Sequence, residues 1–204
     1  PERARKMIDA GIQRISISID GATAASHDAF RQVSGAYEGA LQGIRNAREV
    51  GLPFQVNTTI TQQNLHELEA IQELVVSLGA AAHHIFLLVP MGRGKDLVEQ
   101  GINAEQYEKT LHWFYEQRDK VPLQLKATCA PHYYRILRQR ARAEGREVSF
   151  QTFGLDAMTR GCLGGVGFAF VSHVGQVQPC GYLELDCGNV REKSFREIWE
   201  SSPI

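Results

Sequence analysis

Several features are missing from this sequence of 204 residues, and each absence excludes a class of protein. No stretch approaches the roughly 18 consecutive apolar residues that a membrane-spanning helix needs. The 22 lysines and arginines are balanced by 23 aspartates and glutamates, and a net charge of -1 argues against a nucleic-acid-binding surface. No secretory signal is visible, although the chain begins with Pro1 rather than methionine. We therefore expect a cytoplasmic globular protein whose partners include neither nucleic acid nor membrane.

Cysteine is absent from the first 128 residues and occurs four times after them, at Cys129, Cys162, Cys180 and Cys187. A disulfide-stabilised protein is usually small and rich in cysteine throughout, so cysteines confined to one end favour a metal site. Four thiolates can hold an iron–sulfur cluster or a zinc ion, and four cysteines can also be free buried thiols. The lack of a C-x-x-C pair argues mildly against zinc, but the spacing alone does not distinguish zinc from iron.

The first half of the sequence alternates between strands and helices. Its hydrophobic pattern predicts strands at residues 12–20, 53–60 and 84–89, and helices at residues 1–10, 36–50, 65–78 and 104–120. Residues 21–35 are predicted to be a loop, and Asn64 is predicted to cap the helix that follows it. Further on, a short strand is predicted at 122–126 and a hairpin turn at Gly175. This order is typical of an α/β fold with parallel strands and right-handed helical crossovers.

The predicted strands have unusually polar faces. Two triplets of polar residues alternate with apolar ones: Ser16, Ser18 and Asp20, and Gln55, Asn57 and Thr59. Parallel strands covered on both faces are normally almost continuously apolar. A polar face therefore indicates either a lumen that holds a polar ligand or a face exposed to solvent. Because natural proteins avoid long bare strand edges, we also expect further βα units before the first strand.

Ligands of parallel α/β folds bind beyond the carboxyl ends of the strands. Three loops leave those ends in the predicted fold, at residues 20–35, 58–63 and 89–95. The first loop contains Arg31, and the third places Arg93 and Lys95 beside glycines, where their cations can pair with carboxylates or phosphates. A solvated turn with ordinary surface charges explains the third loop as well.

Several segments carry a resemblance to a known superfamily. SISIDGATAASHDAFR and VNTTIT resemble the middle of radical SAM proteins, whereas GCLGG, GQVQPCGYLELDCGNV and SFREIW resemble their SPASM/twitch extension. LLVPMGRGK, KATCAPHYYRI and PCGYLELDCGN are most similar to the tetrapyrrole-modifying members, to AdoMet-dependent heme synthases first and to the enzymes of heme d1 synthesis more distantly. The C-x-x-x-C-x-x-C motif and the SAM-binding glycine motif of this superfamily are absent. The resemblance therefore implies a fragment that is inactive by itself.

The resemblance also implies an architecture and a set of sites. Residues 1–120 would be the C-terminal half of a partial (β/α)6 radical SAM barrel, and residues 121–204 a small cysteine-rich α+β SPASM/twitch domain. An auxiliary 4Fe–4S cluster would be held by Cys129, Cys162, Cys180 and Cys187. The full-length enzyme would add SAM and a second 4Fe–4S cluster. The residues expected near SAM are Ser18, Asp20, Arg31, Asn57 and Thr59. The residues expected to bind substrate are Arg93, Lys95, His132, Tyr133 and Arg135.

The reaction implied for the whole enzyme is the oxidative decarboxylation of two propionates of iron-coproporphyrin III to vinyl groups, which gives heme b. A 5′-deoxyadenosyl radical would remove a hydrogen from the substrate, and the auxiliary cluster would accept an electron. The expected partners are an iron-porphyrin substrate and a reductant protein. Two alternatives stay open. One is a radical SAM/SPASM enzyme of heme d1 synthesis or peptide modification, and the other is a non-catalytic zinc or electron-transfer module.

Overall fold

The computed structural model describes residues 1–158 and 162–204, with the side chains of residues 92–95 and 155 left out. The chain divides after Met158 into two compact units. The α-helices of the first unit are α1 (Glu2–Asp9), α2 (Ala24–Arg31), α3 (Ala36–Glu49), α4 (Leu68–Ser77), α5 (Ala104–Gln117), α6 (His132–Ala143), α7 (Phe150–Phe153) and α8 (Leu155–Met158). Its strands are β1 (Ile15–Ser18), β2 (Phe54–Ile60), β3 (Ala82–Leu87) and β4 (Gln124–Thr128). No helix in the described part of the chain is long and apolar enough to cross a bilayer.

The first unit is built on a parallel sheet in the order β1-β2-β3-β4. This confirms the predicted α/β fold and its three parallel strands, although the strand ends are shifted. The short strand predicted at 122–126 is β4, and it joins the same sheet as a fourth parallel strand. Ser18 pairs with Asn57, Asn57 with His84, and His84 with Lys126. Paired residues lie on the same face of a sheet, so this polar row runs across all four strands.

One hydrogen bond crosses the polar face of the sheet from its first strand to its last. Arg14, just before β1, donates from Nη1 to Oε1 of Gln124 in β4 at 3.3 Å. Two long side chains therefore link the outer strands across the polar row.

The opposite face of the sheet carries the core of the first unit. Phe114 of α5 and Tyr133 and Ile136 of α6 are fully buried in one cluster with residues of β2, β3 and β4. The predicted boundary between residues 120 and 121 differs from the observed division at 158. The physical reason is that β4 is hydrogen-bonded to β3 and α6 packs into the same core as α5.

Two local predictions in the first unit are corrected. Residues 21–35 contain helix α2 rather than only a loop, because Thr23 and Ser26 form a capping box in which each side chain accepts a hydrogen bond from the backbone N–H of the other at 3.2 Å. Asn64 does not cap a helix with its side chain. A 3₁₀ turn at Leu65–Glu67 follows it, and α4 begins only at Leu68.

The second unit is small and contains a three-stranded antiparallel sheet. Its strands are β5 (Phe170–Val171), β6 (Gln176–Gln178) and β7 (Gly188–Asn189), and α9 (Phe195–Ser201) closes it. Gly175 turns the β5–β6 hairpin with φ +86°, and a Cβ there would lie only 2.6 Å from Oδ1 of Asn189. The predicted hairpin at Gly175 is therefore confirmed.

Candidate functional site

The carboxyl ends of β1 and β2 are joined by Asp20. Its carboxylate is fully buried, accepts a hydrogen bond from the Thr59 N–H at 2.7 Å and forms an ion pair with Arg31. Burial raises the pKa of Asp20 above its usual value, and the Arg31 cation and the Thr59 N–H oppose that rise. Because the carboxylate is enclosed, a ligand at this edge of the sheet would meet Arg31, whose side chain is 37% exposed, rather than Asp20.

Asn64 ties the same two strand ends together, although the sequence pattern assigned it only a capping role. Its Nδ2 donates to the backbone oxygen of Asp20 at 2.9 Å and to that of Thr59 at 2.8 Å, and its Oδ1 accepts from the Thr61 N–H at 2.9 Å. All of these atoms lie in the region where parallel strands present ligand-binding loops.

Glu67 and His27 fix helix α2 over this edge of the sheet, and sequence analysis missed both roles. Glu67 Oε2 accepts hydrogen bonds from the Ala22 N–H and the Ser26 hydroxyl, each at 2.7 Å. His27 is buried, and its Nδ1 accepts from the Asp20 N–H at 3.0 Å. The T-x-x-S capping pattern that begins α2 was the available signal for this segment.

Ser18 and Asn57 are half-buried neighbours in the polar row. Gln55 Nε2 donates to Asn57 Oδ1 at 3.1 Å and lies 3.0 Å from His84 Nδ1. The structure thus joins Asp20, Arg31 and Thr59 by direct contacts and pairs the other two predicted SAM residues in register. Their assignment to SAM stays a prediction.

Cys129 and His132 lie beside the same tyrosine in the first unit. Cys129 is exposed and has a left-handed backbone conformation, with φ +56°, which is uncommon outside glycine. Burial raises the pKa of Tyr107, and the charge of Cys129 raises it further. The exposed His132 ring packs edge-on against the Tyr107 ring, with the centroids 5.5 Å apart.

Tyr133 is placed differently from the prediction that it binds substrate. Its side chain is fully buried, and its ring packs edge-on against Phe114 with a centroid distance of 5.8 Å. Burial raises its pKa to about 12, and its hydroxyl accepts a hydrogen bond from Arg118 at 3.4 Å. We correct its role to that of a core residue, because a substrate would reach the ring only if the core opened.

The remaining predicted substrate residues are cations. Arg135 is exposed on α6, where it pairs with Glu108 at 2.5 Å and donates to Gln139 Oε1 at 2.9 Å. The side chains of Arg93 and Lys95 lie outside the described residues, so their assignment stays a prediction.

In the second unit, Cys162 and Cys180 lie against the same glycine. A Cβ on Gly164 would be 3.5 Å from Cys162 Sγ and 3.4 Å from Cys180 Cβ. The Gly164 N–H donates to Cys162 Sγ and the Tyr182 N–H donates to Cys180 Sγ, both at 3.4 Å. Hydrogen bonds of this kind hold each sulfur in place and stabilise thiolate charge.

Cys187 leads into β7, and its N–H donates to the Val177 oxygen of the central strand at 3.0 Å. Cys162, Cys180 and Cys187 are thiols rather than disulfide partners. Across residues 1–158 and 162–204, no group of three or more His, Cys, Asp or Glu side chains stands ready to hold a metal ion. Cys129 belongs to the other unit, so the convergence of all four sulfurs stays a prediction.

Comparison with known proteins matches residues 162–204 to SPASM, an iron–sulfur cluster-binding domain. An AdoMet-dependent heme synthase of Nitratidesulfovibrio vulgaris is 60% identical over 202 residues, which are 99% of this chain and 55% of the relative. A heme synthase of the same name from Methanosarcina barkeri is 53% identical over 204 residues, which are 100% of this chain and 58% of the relative. Along almost its whole length, the chain is therefore similar to AdoMet-dependent heme synthases, and residues 162–204 match the SPASM domain.

The same fold is also found in a solved structure. Streptococcus suis SuiB, bound to the precursor peptide SuiA, matches 93% of this chain and 42% of its own with a TM-score of 0.64 and 14% identity, which shows the shared fold. The chain spans about half the length of the curated relatives it matches.

The second unit fits the cluster that SPASM domains bind. Thiolates are the usual ligands of iron–sulfur clusters, and residues 162–204 contain three cysteines. Gly164 keeps Cys162 and Cys180 close, because a Cβ there would also lie 3.3 Å from the Pro179 oxygen. The missing side chain therefore leaves room where the two cysteines and the backbone meet.

Proposed function

We propose that this chain is the electron-accepting part of a radical SAM enzyme that oxidatively decarboxylates two propionates of iron-coproporphyrin III to vinyl groups, giving heme b. The observation that carries the proposal is the 60% identity to an AdoMet-dependent heme synthase over 99% of the chain, which includes both units. All four cysteines lie within the region compared.

In this proposal, a 4Fe–4S cluster is held by Cys129, Cys162, Cys180 and Cys187. When bound, such a cluster accepts single electrons, which the oxidation of a substrate radical requires. The protein contributes preorganised sulfurs, because the backbone N–H groups of Gly164 and Tyr182 already hold two of them.

The first unit binds and orients the small molecules in this proposal. Asp20, itself enclosed, orients Arg31 toward SAM, and the polar side chains of Ser18, Asn57 and Thr59 line the same face. His132 beside Cys129 and the cations of Arg135, Arg93 and Lys95 pair with substrate propionates. Arg135 exchanges its Glu108 partner for a propionate when substrate binds.

We also infer a cytoplasmic location and a reductant protein as a partner. Cys162, Cys180 and Cys187 are thiols, and a reducing compartment keeps thiols available for a metal. A net charge of -1 argues against a nucleic acid as a partner, because binding to phosphates favours a basic protein.

The cluster is tested by anaerobic reconstitution of the protein with ferrous iron and sulfide, followed by counting of both. We expect Cys162→Ala and Cys180→Ala to lose about four irons and four sulfides relative to wild type. Val174→Ala, a change of similar size at an exposed hairpin position, keeps them. Tightly bound zinc without sulfide would contradict the cluster and support the zinc alternative.

The substrate is tested by adding iron-coproporphyrin III to the reconstituted protein and following its Soret band. We expect a shift of the band that saturates with protein concentration. A protein that keeps its cluster but leaves the band unchanged would contradict the porphyrin substrate, and peptide modification would then be the better hypothesis.

A further inference from the structure

Phe170 of β5 packs directly on Gly181. A Cβ on Gly181 would lie 3.2 Å from Cδ2 of the Phe170 ring and 3.5 Å from Cε2, so the ring occupies the position that a side chain would take. The ring is nevertheless on the surface of its unit, because Phe170 is 42% exposed. The half-exposed phenyl ring therefore shields the Gly181 backbone, which has no side chain of its own, from water.

The covered glycine is the one that follows Cys180. The Tyr182 N–H donates to Cys180 Sγ, so the sulfur folds back over the peptide that joins Gly181 to Tyr182. Cys180 also forms an isolated antiparallel bridge with Leu183, which closes this turn. The phenyl ring and the sulfur thus flank the same short turn.

We propose that the Phe170 ring shields the Cys180 side of the cluster from water and oxygen. This inference rests on the proposed cluster. An apolar group beside an iron–sulfur centre limits solvent access, and solvent exposure is one of the factors that set the reduction potential. A reduced cluster carries one more negative charge than an oxidised one, so shielding disfavours reduction and keeps the potential low.

The test compares Phe170→Ala and Phe170→Leu with wild type in the anaerobically reconstituted protein. After exposure to air, we expect the visible cluster absorbance of Phe170→Ala to bleach about tenfold faster, because the apolar shell of a metal site controls solvent access to it. Its midpoint potential, measured by anaerobic redox titration, moves in the positive direction. Phe170→Leu keeps an apolar side chain at this position, so we expect its bleaching rate and midpoint potential to stay close to those of wild type.

The matched control is Phe195→Ala. Phe195 is in the same unit, is 45% exposed, and packs against Trp199 with a centroid distance of 5.8 Å. We expect this variant to bleach at the wild-type rate. If Phe170→Ala also bleaches at that rate, or if Phe195→Ala bleaches as fast as Phe170→Ala, the shielding role is wrong.

Iron and sulfide counts before exposure separate this inference from the proposed cluster. If wild type itself binds no iron and sulfide, the proposed function fails. If wild type binds them and Phe170→Leu loses them as readily as Phe170→Ala, the ring acts in folding rather than as a shield, and this inference alone fails.

Discussion

At the scale of single residues, Asp20 shows what a sequence pattern can and cannot predict. An acid at the end of an alternating strand indicates a polar partner beyond the strand, and the structure provides one in Arg31. The pattern does not indicate whether the carboxylate faces a ligand or the protein. That depends on Asn64 and on helix α2, which contact Asp20 from later in the sequence.

His83 is a second buried polar residue, and both of its ring nitrogens have a hydrogen-bonding neighbour. Thr58 donates its hydroxyl hydrogen to the Ile19 oxygen at 2.7 Å, so Thr58 Oγ1 accepts from His83 Nε2–H at 2.9 Å. His83 Nδ1 lies 2.8 Å from Gln72 Oε1, and Gln72 Nε2 is buried without a hydrogen-bond partner among the described residues. Turning the Gln72 amide over would place Nε2 against Nδ1, where a neutral ring accepts its hydrogen.

The neutral ring of His83 makes stability depend on pH. Burial, with a smaller effect of His84, lowers the pKa of His83 from 6.5 to about 4. The unfolded chain therefore binds a proton below pH 6.5 that the folded chain does not, so stability falls as the pH drops from 6.5 toward 4 and levels off below that. The gap in pKa corresponds to about 3 kcal/mol for a fully buried ring.

Urea unfolding at several pH values measures this effect, and His83→Leu is the variant for comparison. We expect the free energy of unfolding to fall more steeply with acid in wild type than in His83→Leu. His84, whose pKa burial also lowers to about 4, is present in both proteins and cancels in the difference. Two parallel curves would show that His83 does not titrate as its burial implies.

At the scale of elements, strands were easier to predict than helix starts. The alternation of Ile15 and Ile17 with serines, and of Val56 with Asn57, follows directly from the two-residue period of a strand. Helix α2 was missed because its capping box ends in Ser26 rather than the usual Glu or Gln.

The turns around the cysteines depend on glycine, and Gly164→Ala tests this. The new Cβ would lie 3.3 Å from the Pro179 oxygen, so the segment before Cys180 must shift by a few tenths of an ångström, whereas its 3.5 Å distance from Cys162 Sγ is an ordinary contact. We expect iron affinity to fall about tenfold, as when the support of a metal ligand is lost. Competition with an iron chelator during reconstitution measures the change.

Gly39→Ala is the matched control. Gly39 lies within α3, and none of the described residues outside its own helix and chain neighbours comes within 4 Å of the new Cβ. Alanine is therefore expected to stabilise the helix by about 1 kcal/mol and to leave iron binding unchanged. Normal iron affinity in Gly164→Ala would mean that the cysteine segments tolerate a wider separation than a shared cluster allows.

At the scale of the whole molecule, composition showed a cysteine-rich end, but it did not show where the first unit stops. The predicted boundary at residue 120 was the end of the helix predicted at residues 104–120, which precedes the segment that contains the first cysteine. β4 pairs with β3, which is a long-range contact. The short sequence of β4, Gln-Leu-Lys-Ala-Thr, does not indicate which strand it pairs with. For the same reason, no local pattern indicates whether Cys129 meets the cysteines of the second unit.

The position of that boundary predicts how shortened chains behave. Residues 1–158 keep β4 and α6, whereas residues 1–120 lose the fully buried side chains of Tyr133, Ile136 and Leu137. Burial of such side chains stabilises by about 2 kcal/mol each, and the loss of three approaches the whole stability of a typical domain. We expect cooperative thermal unfolding, followed by circular dichroism, for residues 1–158 and none for residues 1–120. If residues 1–120 unfold as cooperatively and at as high a temperature as residues 1–158, then β4 and α6 are accessory to the first unit, and the boundary predicted from the sequence is the physical one.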